Sequence, residues 1–91
     1  MEKSAKIYIN VRTAFDRDGR MRPLSLEWED GRVFPIDRVG EIHTESARFS
    51  SSIGDRYTVW IHGCKRFLFF ERSDRLPGQR IGRWFMERKL A

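Results

Sequence analysis

The chain has 91 residues, 40% of them hydrophobic, and its 18 Lys and Arg against 13 Asp and Glu give a formal net charge of +5. This length supports one core, because two cores in so short a chain would each be too small to be stable. A single cysteine excludes an internal disulfide. The sequence contains no run of about 18 apolar residues, which is what a membrane-spanning helix would need. We therefore expect one domain over residues 1–91, in the cytoplasm and without a signal peptide.

Alternating side chains predict the first β-strand over residues 6–15. Ile7, Ile9 and Val11 fall on one face, whereas a helix would need apolar residues three and four positions apart. The Asp-Gly pair at 18–19 follows, and it favours the positive φ of a tight hairpin turn. The first two strands are therefore expected to form a hairpin.

The second strand is predicted over residues 22–29, where Leu24, Leu26 and Trp28 share a face. Asp30-Gly31 gives a second hairpin signal, and residues 33–42 then predict a third strand. The alternation in this third segment shifts phase near residues 37–38. A phase shift of this kind indicates a β-bulge, which would let a small sheet curl around its core.

Residues 43–55 are polar, rich in serine and without a sustained period, so we expect the longest loop there, with one helical turn near residues 45–49. Strands are predicted at residues 56–62 and 66–72, joined by a turn at residues 63–65. The second of these strands is apolar on both faces, so either both faces are covered or one is an exposed patch. A Pro- and Gly-containing connection, residues 73–82, leads to a final short strand at residues 83–88, with a helical turn over residues 84–90 as the alternative.

These elements predict an all-β fold: a single antiparallel small barrel, or a strongly coiled sheet, of five or six strands. Short hairpins of this kind are typical of SH3-like barrels, in which closure removes exposed sheet edges. An OB-like barrel is the alternative.

Three segments carry a resemblance to a known family: residues 15–24 (FDRDGRMRPL), 28–34 (WEDGRVF) and 83–85 (RWF). They resemble a family of small bacterial proteins of uncharacterised function, of the Firmicutes type, with an SH3-like small β-barrel. The likeness spans most of the chain and departs in the serine-rich segment and in residues 73–81. WEDGRVF is also similar to the first hairpin of Tudor and other SH3-like modules. The resemblance implies the fold and brings no activity, ligand or site residue with it.

The excess of arginine and lysine suggests a nucleic-acid partner, or a protein that handles nucleic acid. Basic side chains hold phosphates, and exposed aromatic rings stack on unpaired bases. The residues expected to form such a surface are Arg12, Trp60, Lys65, Arg66, Arg80 and Arg83. The plain alternative is a solvated surface whose positive field is largely neutralised by glutamates.

A second candidate surface is aromatic and would bind protein. Phe67, Phe69 and Trp84 are expected to anchor either an adaptor contact or a homodimer, because aromatic side chains dominate protein interfaces. The alternative is that residues 73–82 cover this face within one chain.

Catalysis and metal binding have little support in the sequence. His62 and Cys64 lie two residues apart at a turn, but a zinc site ordinarily needs four ligands, and a Cys-His pair needs a third, orienting group. Asp16 and Asp18 are better explained as turn formers. We therefore expect a module that is not an enzyme and that holds no metal and no cofactor.

Overall fold

A computed structural model describes residues 3–46, 53–72 and 81–90. Every regular element in these residues is a strand, so the predicted all-β fold is confirmed for them. The described residues contain no helix that could cross a membrane. The strands are β1 Lys3–Phe15, β2 Met21–Glu27, β3 Val33–Pro35, β4 Arg38–Ser46, β5 Ile53–Ile61, β6 Cys64–Arg72 and β7 Gly82–Leu90.

The strands form one antiparallel sheet in the order β3-β2-β1-β7-β6-β5-β4. Each pairing joins chain neighbours, except that β1 pairs with β7. The described sheet therefore lacks the Greek-key connection that defines the OB-like alternative.

The sheet curls into a half-barrel because consecutive strands β3 and β4 lie at its opposite edges. Between them, the Ile36 N–H donates to the Leu24 carbonyl oxygen at 2.9 Å, and the Asp37 N–H donates to the Trp60 carbonyl oxygen at 2.8 Å. Two successive residues thus bond to β2 and to β5, which brings these strands together at one end of the sheet.

The expected number of five or six strands is wrong, since residues 3–46, 53–72 and 81–90 already contain seven. One cause is that predicted strand 33–42 divides at Ile36 and Asp37, where the chain passes from one edge to the other. The register shift predicted near residues 37–38 occurs slightly later, between Val39 and Ile42 of β4.

The predicted loop at residues 43–55 is also wrong at both of its ends. Residues 43–46 belong to β4 and pair with residues 53–56 of β5, so His43 lies opposite Arg56. Residues 47–52 lie outside the described part of the chain, and with them most of the helical turn predicted at 45–49. The sequence did not predict this pairing because the side chains are polar. An edge strand is held by backbone hydrogen bonds and does not require apolar alternation.

The predicted turns at residues 18–19 and 30–31 are confirmed by the positive φ of their glycines, 81° at Gly19 and 88° at Gly31. Asp16 forms its turn as expected, since Oδ1 accepts the N–H groups of Asp18 and Arg20, each at 2.9 Å. The third turn centres on residues 62–63, where φ is 51° and 74°, one residue before the predicted segment.

The core fills the inner face of the curl. Its buried residues are Tyr57, Val59, Leu68, Phe70 and Trp84. The indole of Trp84 meets the rings of Tyr57 and Phe70 edge-on, with centroids 5.0 Å and 4.9 Å apart. Such pairs contribute about 0.5–1.5 kcal/mol each beyond area burial.

The apolar run of β6 is covered on both faces over most of its length. Leu68 and Phe70 point inward, whereas Phe69 points outward and stacks on Phe85 with ring centroids 5.0 Å apart. All four are buried, and Phe67 alone is exposed, to 41%. The sequence left open whether both faces of this strand are covered or one is an exposed patch. Both faces are covered at residues 68–70.

Candidate functional site

The β5–β6 hairpin and the start of β4 collect basic and aromatic side chains on the outer face. Trp60 lies opposite both Lys65 of β6 and Arg38 of β4, while Thr58 lies opposite Phe67. Directly opposite residues in an antiparallel pair share a face. Arg56 joins the same face because it precedes Thr58 by two positions. We call Arg38, Arg56, Trp60, Lys65 and Phe67 the cation–aromatic patch.

Each cation of this patch lies over an aromatic ring. The Arg38 guanidinium carbon is 3.9 Å from the centroid of Trp60, and that of Arg56 is 4.7 Å from the centroid of Phe67. Lys65 Nζ is farther from the Phe67 ring, at 5.6 Å. Contacts of this kind contribute roughly 0.5–1 kcal/mol at exposed sites. The rings therefore hold the positive groups in place without neutralising them.

Gly40 of β4 makes room for the Trp60 ring. A Cβ at this position would lie 2.8 Å from Cζ3 of Trp60, closer than real side chains approach. A glycine inside a strand often marks such a close approach. Trp60 therefore packs against the β4 backbone, and the Arg38 guanidinium lies over the Trp60 ring.

The positive charge of Arg38 and Lys65 is not cancelled by a carboxylate in the described part of the chain. The nearest acid in sequence, Asp37, instead accepts the Gly63 N–H through Oδ2 at 3.2 Å. Other cations are paired: Arg32 with Asp30 at 2.6 Å, Arg72 with Asp55 at 3.3 Å, and Arg88 with Glu29. Arg38 and Lys65 therefore place positive charge without a described carboxylate partner beside the aromatic rings of the patch.

A second outer-face group surrounds the buried carboxylate of Glu71. Lys6 Nζ donates to Oε2 at 2.6 Å, Arg83 Nη2 donates to Oε1 at 3.0 Å, and the Tyr8 hydroxyl donates to Oε2 at 3.1 Å. Burial alone would raise the pKa of Glu71, but the hydrogen bonds from Lys6 and Arg83 outweigh it and hold the pKa below its ordinary value of 4.5. We call Lys6, Tyr8, Glu71 and Arg83 the Glu71 cluster.

The structure brings together three of the predicted site residues, Trp60, Lys65 and Phe67. Arg66 lies opposite Val59 and so alternates to the other side of β6, where its Nη1 donates to the Lys65 carbonyl oxygen at 3.1 Å. Arg38 and Arg56 were missed by sequence reasoning. Only the pairing of β4 and β6 with β5 shows that they join this surface.

The other predicted basic residues lie elsewhere. Arg12 is on β1 opposite Ser25, and Arg83 belongs to the Glu71 cluster, where its charge is paired. Arg80 lies outside the described residues.

The aromatic residues predicted for a protein interface do not form one exposed patch. Phe69 and Trp84 are both buried and point to opposite faces of the sheet. Phe67 alone among the three is exposed.

An open cleft lies on the inner side, between β2 and β4. Its volume is about 630 Å³, and Met21, Val39, Ile42 and Tyr57 form its apolar wall. Burial raises the pKa of the Tyr57 hydroxyl, and the charge of Asp55 adds to this effect. A smaller cavity of about 320 Å³ shares Met21 and Tyr57 with the cleft. This is where the half-barrel stays open.

The residues discussed as metal or catalytic candidates stay apart. No three side chains of His, Cys, Asp or Glu meet among the described residues. The His62 ring instead contacts Phe34 edge-on, with centroids 5.9 Å apart, and Cys64 is exposed.

No family model, curated protein or solved structure matches the chain. The resemblance to the Firmicutes-type family therefore stays a prediction.

Proposed function

We propose that this protein is a non-catalytic module that binds single-stranded nucleic acid through the cation–aromatic patch. One observation carries the proposal: Arg38 and Lys65, without a described carboxylate partner, lie beside Trp60 and the exposed ring of Phe67 on one face. Surfaces that bind single strands combine positive charge for the backbone with aromatic rings for the bases.

The members of the patch have different roles in this proposal. Arg38 and Lys65 bind phosphates, and Lys65 Nζ is the cation that lies farthest from its ring, at 5.6 Å. Phe67 is the stacking platform, since its ring is the exposed one. Trp60 positions Arg38.

The fold and location expected from the sequence fit such a module. We propose an SH3-like arrangement, supported by short hairpins and by the curl of the sheet, although seven strands exceed the number expected. We also propose a cytoplasmic location, supported by Cys64, which is an exposed free thiol.

The test measures fluorescence anisotropy of a labelled oligothymidylate at several salt concentrations. We expect binding at low salt that weakens as salt rises, because phosphate neutralisation releases counterions. The double variant Arg38→Gln/Lys65→Gln should lose about tenfold in affinity, and the magnitude of its salt slope should fall by about 1.4, the contribution of two phosphate contacts on a single strand. Arg17→Gln/Arg22→Gln is the matched control, because it removes the same charge from the exposed β1–β2 region.

Equal losses in the patch variant and the control would contradict the assignment of the patch and would indicate a diffuse electrostatic effect. Absence of binding at low salt would reject the nucleic-acid proposal. Protein docking, the alternative from the sequence, would then be the function to test.

Phe67→Ala tests stacking separately from charge. Loss of one base–ring stack should weaken binding by about 1–3 kcal/mol while leaving the salt slope unchanged. Circular dichroism of the variant checks that the fold is intact, as expected for an exposed side chain. A change in salt slope without a loss of affinity would contradict the stacking role.

A further inference from the structure

The two edges of the sheet differ in their capacity to accept another strand. β3 is three residues long and ends in Pro35, which has no N–H to donate. β4 has nine residues, contains no proline and pairs only with β5 among the described strands. Natural sheets protect their edges with short strands, prolines and bulges, and a long unprotected edge can pair with another chain.

Part of β4 is disturbed by the bulge between Val39 and Ile42, which interrupts the ladder with β5. Beyond it the register is regular, from Ile42 opposite Tyr57 to Ser46 opposite Ile53. Residues 42–46 are therefore the part of this edge that is best suited to extend the sheet.

We propose that β4 is a self-association edge, which pairs antiparallel with β4 of a second copy about a two-fold axis at Thr44. This interface uses residues 42–46, none of which belongs to the cation–aromatic patch, and it does not depend on the proposed function.

Charge selects both the partner and the register. Opposite residues in an antiparallel pair share a face, so a two-fold axis perpendicular to the sheet can pair a residue only with one that lies an even number of positions away. The axis therefore passes through a residue position. An axis at position 41, 43 or 45 would place carboxylate opposite carboxylate, because the sequence carries glutamates at 41 and 45. Like charges directly opposite one another destabilise a sheet.

An axis at Thr44 avoids this repulsion and uses regular positions only. His43 then lies opposite the partner's Glu45, Ile42 lies opposite the partner's Ser46, and the two Thr44 residues face each other. A Thr–Thr pair stabilises cross-strand contacts, and the His43 imidazole can donate a hydrogen bond to the carboxylate of the partner's Glu45. His43 is half-exposed in the single chain, where its Nε2 is 3.0 Å from Oε2 of the exposed Glu41. The edge is thus complementary to itself.

Sedimentation equilibrium without nucleic acid tests this proposal, from about 1 μM to about 1 mM, the range expected for a small interface. Wild-type protein should show a monomer–dimer equilibrium. His43→Glu should raise the dissociation constant by about tenfold or more, because it places carboxylates opposite each other twice. His43→Glu/Glu45→Lys should restore association. Val33→Glu, an exposed substitution on the β3 edge, should leave it unchanged.

A wild-type chain that is monomeric throughout this range would overturn the proposal, as would equal effects of His43→Glu and Val33→Glu. Rescue by Glu41→Lys instead of Glu45→Lys would reject the axis at Thr44. Because no oligonucleotide is present, these outcomes are independent of nucleic-acid binding.

Cross-linking gives a second, register-specific measurement. Opposite Cα atoms in an antiparallel pair lie about 4.5–5.5 Å apart, within disulfide reach. In a Cys64→Ser background, Thr44→Cys should therefore form a covalent dimer when the thiols are oxidised with diamide, whereas Val33→Cys should not. Equal cross-linking at both positions would contradict the proposal.

Discussion

Glu71 joins three strands through charge rather than through apolar contact. It lies on β6 and accepts hydrogen bonds from Lys6 and Tyr8 of β1 and from Arg83 of β7. A buried carboxylate is costly unless it is paired and hydrogen-bonded, and here both oxygens have donors. The cluster therefore fixes the register of the two terminal strands against β6.

Replacement of Glu71 tests this role. Glu71→Gln should lower the free energy of unfolding at neutral pH by about 1–3 kcal/mol, because two charged hydrogen bonds lose their ionised acceptor. Glu27→Gln is the control, since this exposed side chain makes one hydrogen bond, with Asn10 at 3.3 Å. Urea denaturation measures both. Equal small effects would show that the Glu71 cluster does not contribute to stability.

The same carboxylate predicts how stability depends on pH. The pKa of Glu71 in the folded chain lies below its ordinary value of 4.5, so its contribution is fully present above that value. The contribution is lost as pH falls through the folded-state pKa. The stability difference between wild type and Glu71→Gln should therefore be constant near neutrality and shrink in acid below 4.5. A difference that persists unchanged in strong acid would contradict this.

Sequence reasoning found part of the candidate site at the level of residues. The sequence singled out Lys65 for a basic surface and Phe67 for an aromatic one, and β6 places both side chains on one face. It could not identify Arg38 and Arg56, because period two gives faces within a strand and not which strands become neighbours. It also could not rank Phe67 and Phe69, because they share one face of β6 and their exposure depends on the adjacent strands.

At the scale of elements, β6 and β7 approach so closely that Gly82 cannot be replaced without movement. A Cβ there would lie 2.5 Å from both the Glu71 carbonyl oxygen and Cζ of Phe70. We expect Gly82→Ala to destabilise the fold by about 1–3 kcal/mol, the usual cost of overpacking.

Gly54 is the matched control, because it also lies in a strand and a Cβ there would meet only the Phe70 carbonyl oxygen at an ordinary 3.5 Å. Gly54→Ala should be neutral or stabilising by up to about 1 kcal/mol, since alanine loses less backbone entropy on folding. Urea denaturation compares the two variants. A larger loss in Gly54→Ala than in Gly82→Ala would contradict the packing argument.

The elements best predicted from the sequence are those with local signals. The strands after residue 5 and their Asp-Gly turns could be found because alternation and positive-φ turn residues lie in the sequence itself. The split at Ile36 and Asp37 could not, because it depends on hydrogen bonds to Leu24 and Trp60, far along the chain. The pairing of residues 43–46 with residues 53–56 could not be predicted either, because these residues are polar and the pairing depends on backbone hydrogen bonds between two strands.

At the scale of the whole molecule, the chain follows a circular path of hairpins. β1 and β7 pair antiparallel, with Lys3 opposite Leu90, so the two ends of the described sheet path lie side by side. The sequence predicted curling and closure in general terms. It could not show that the first and last described strands pair with each other at the centre of an open sheet, because that pairing has no local signal.

A circular permutant tests this arrangement. We consider a chain that begins at Gly63, ends at His62 and joins the original ends through a short Gly/Ser linker. It keeps the residues of every strand pairing and interrupts the chain only in the β5–β6 turn. We expect the far-UV circular dichroism spectrum and a cooperative thermal transition to be retained. A chain that stops at Ile81 should lose the transition, because it lacks Trp84 and Phe85 of the core. If the permutant were unfolded and the truncated chain folded, the circular path would not be what holds the sheet together.

The two outermost strands, β3 and β4, differ in length, and this difference limits how many copies of the molecule can join through the proposed contact. A dimer through β4 uses that edge on both copies, and β3, only three residues long and ending in a proline, offers little ladder to a third. In the proposed dimer, growth stops after one step, because an isologous contact closes on itself whereas fibrils need a second complementary surface. A sheet of seven strands could in this way associate in concentrated solution and still escape amyloid-like extension.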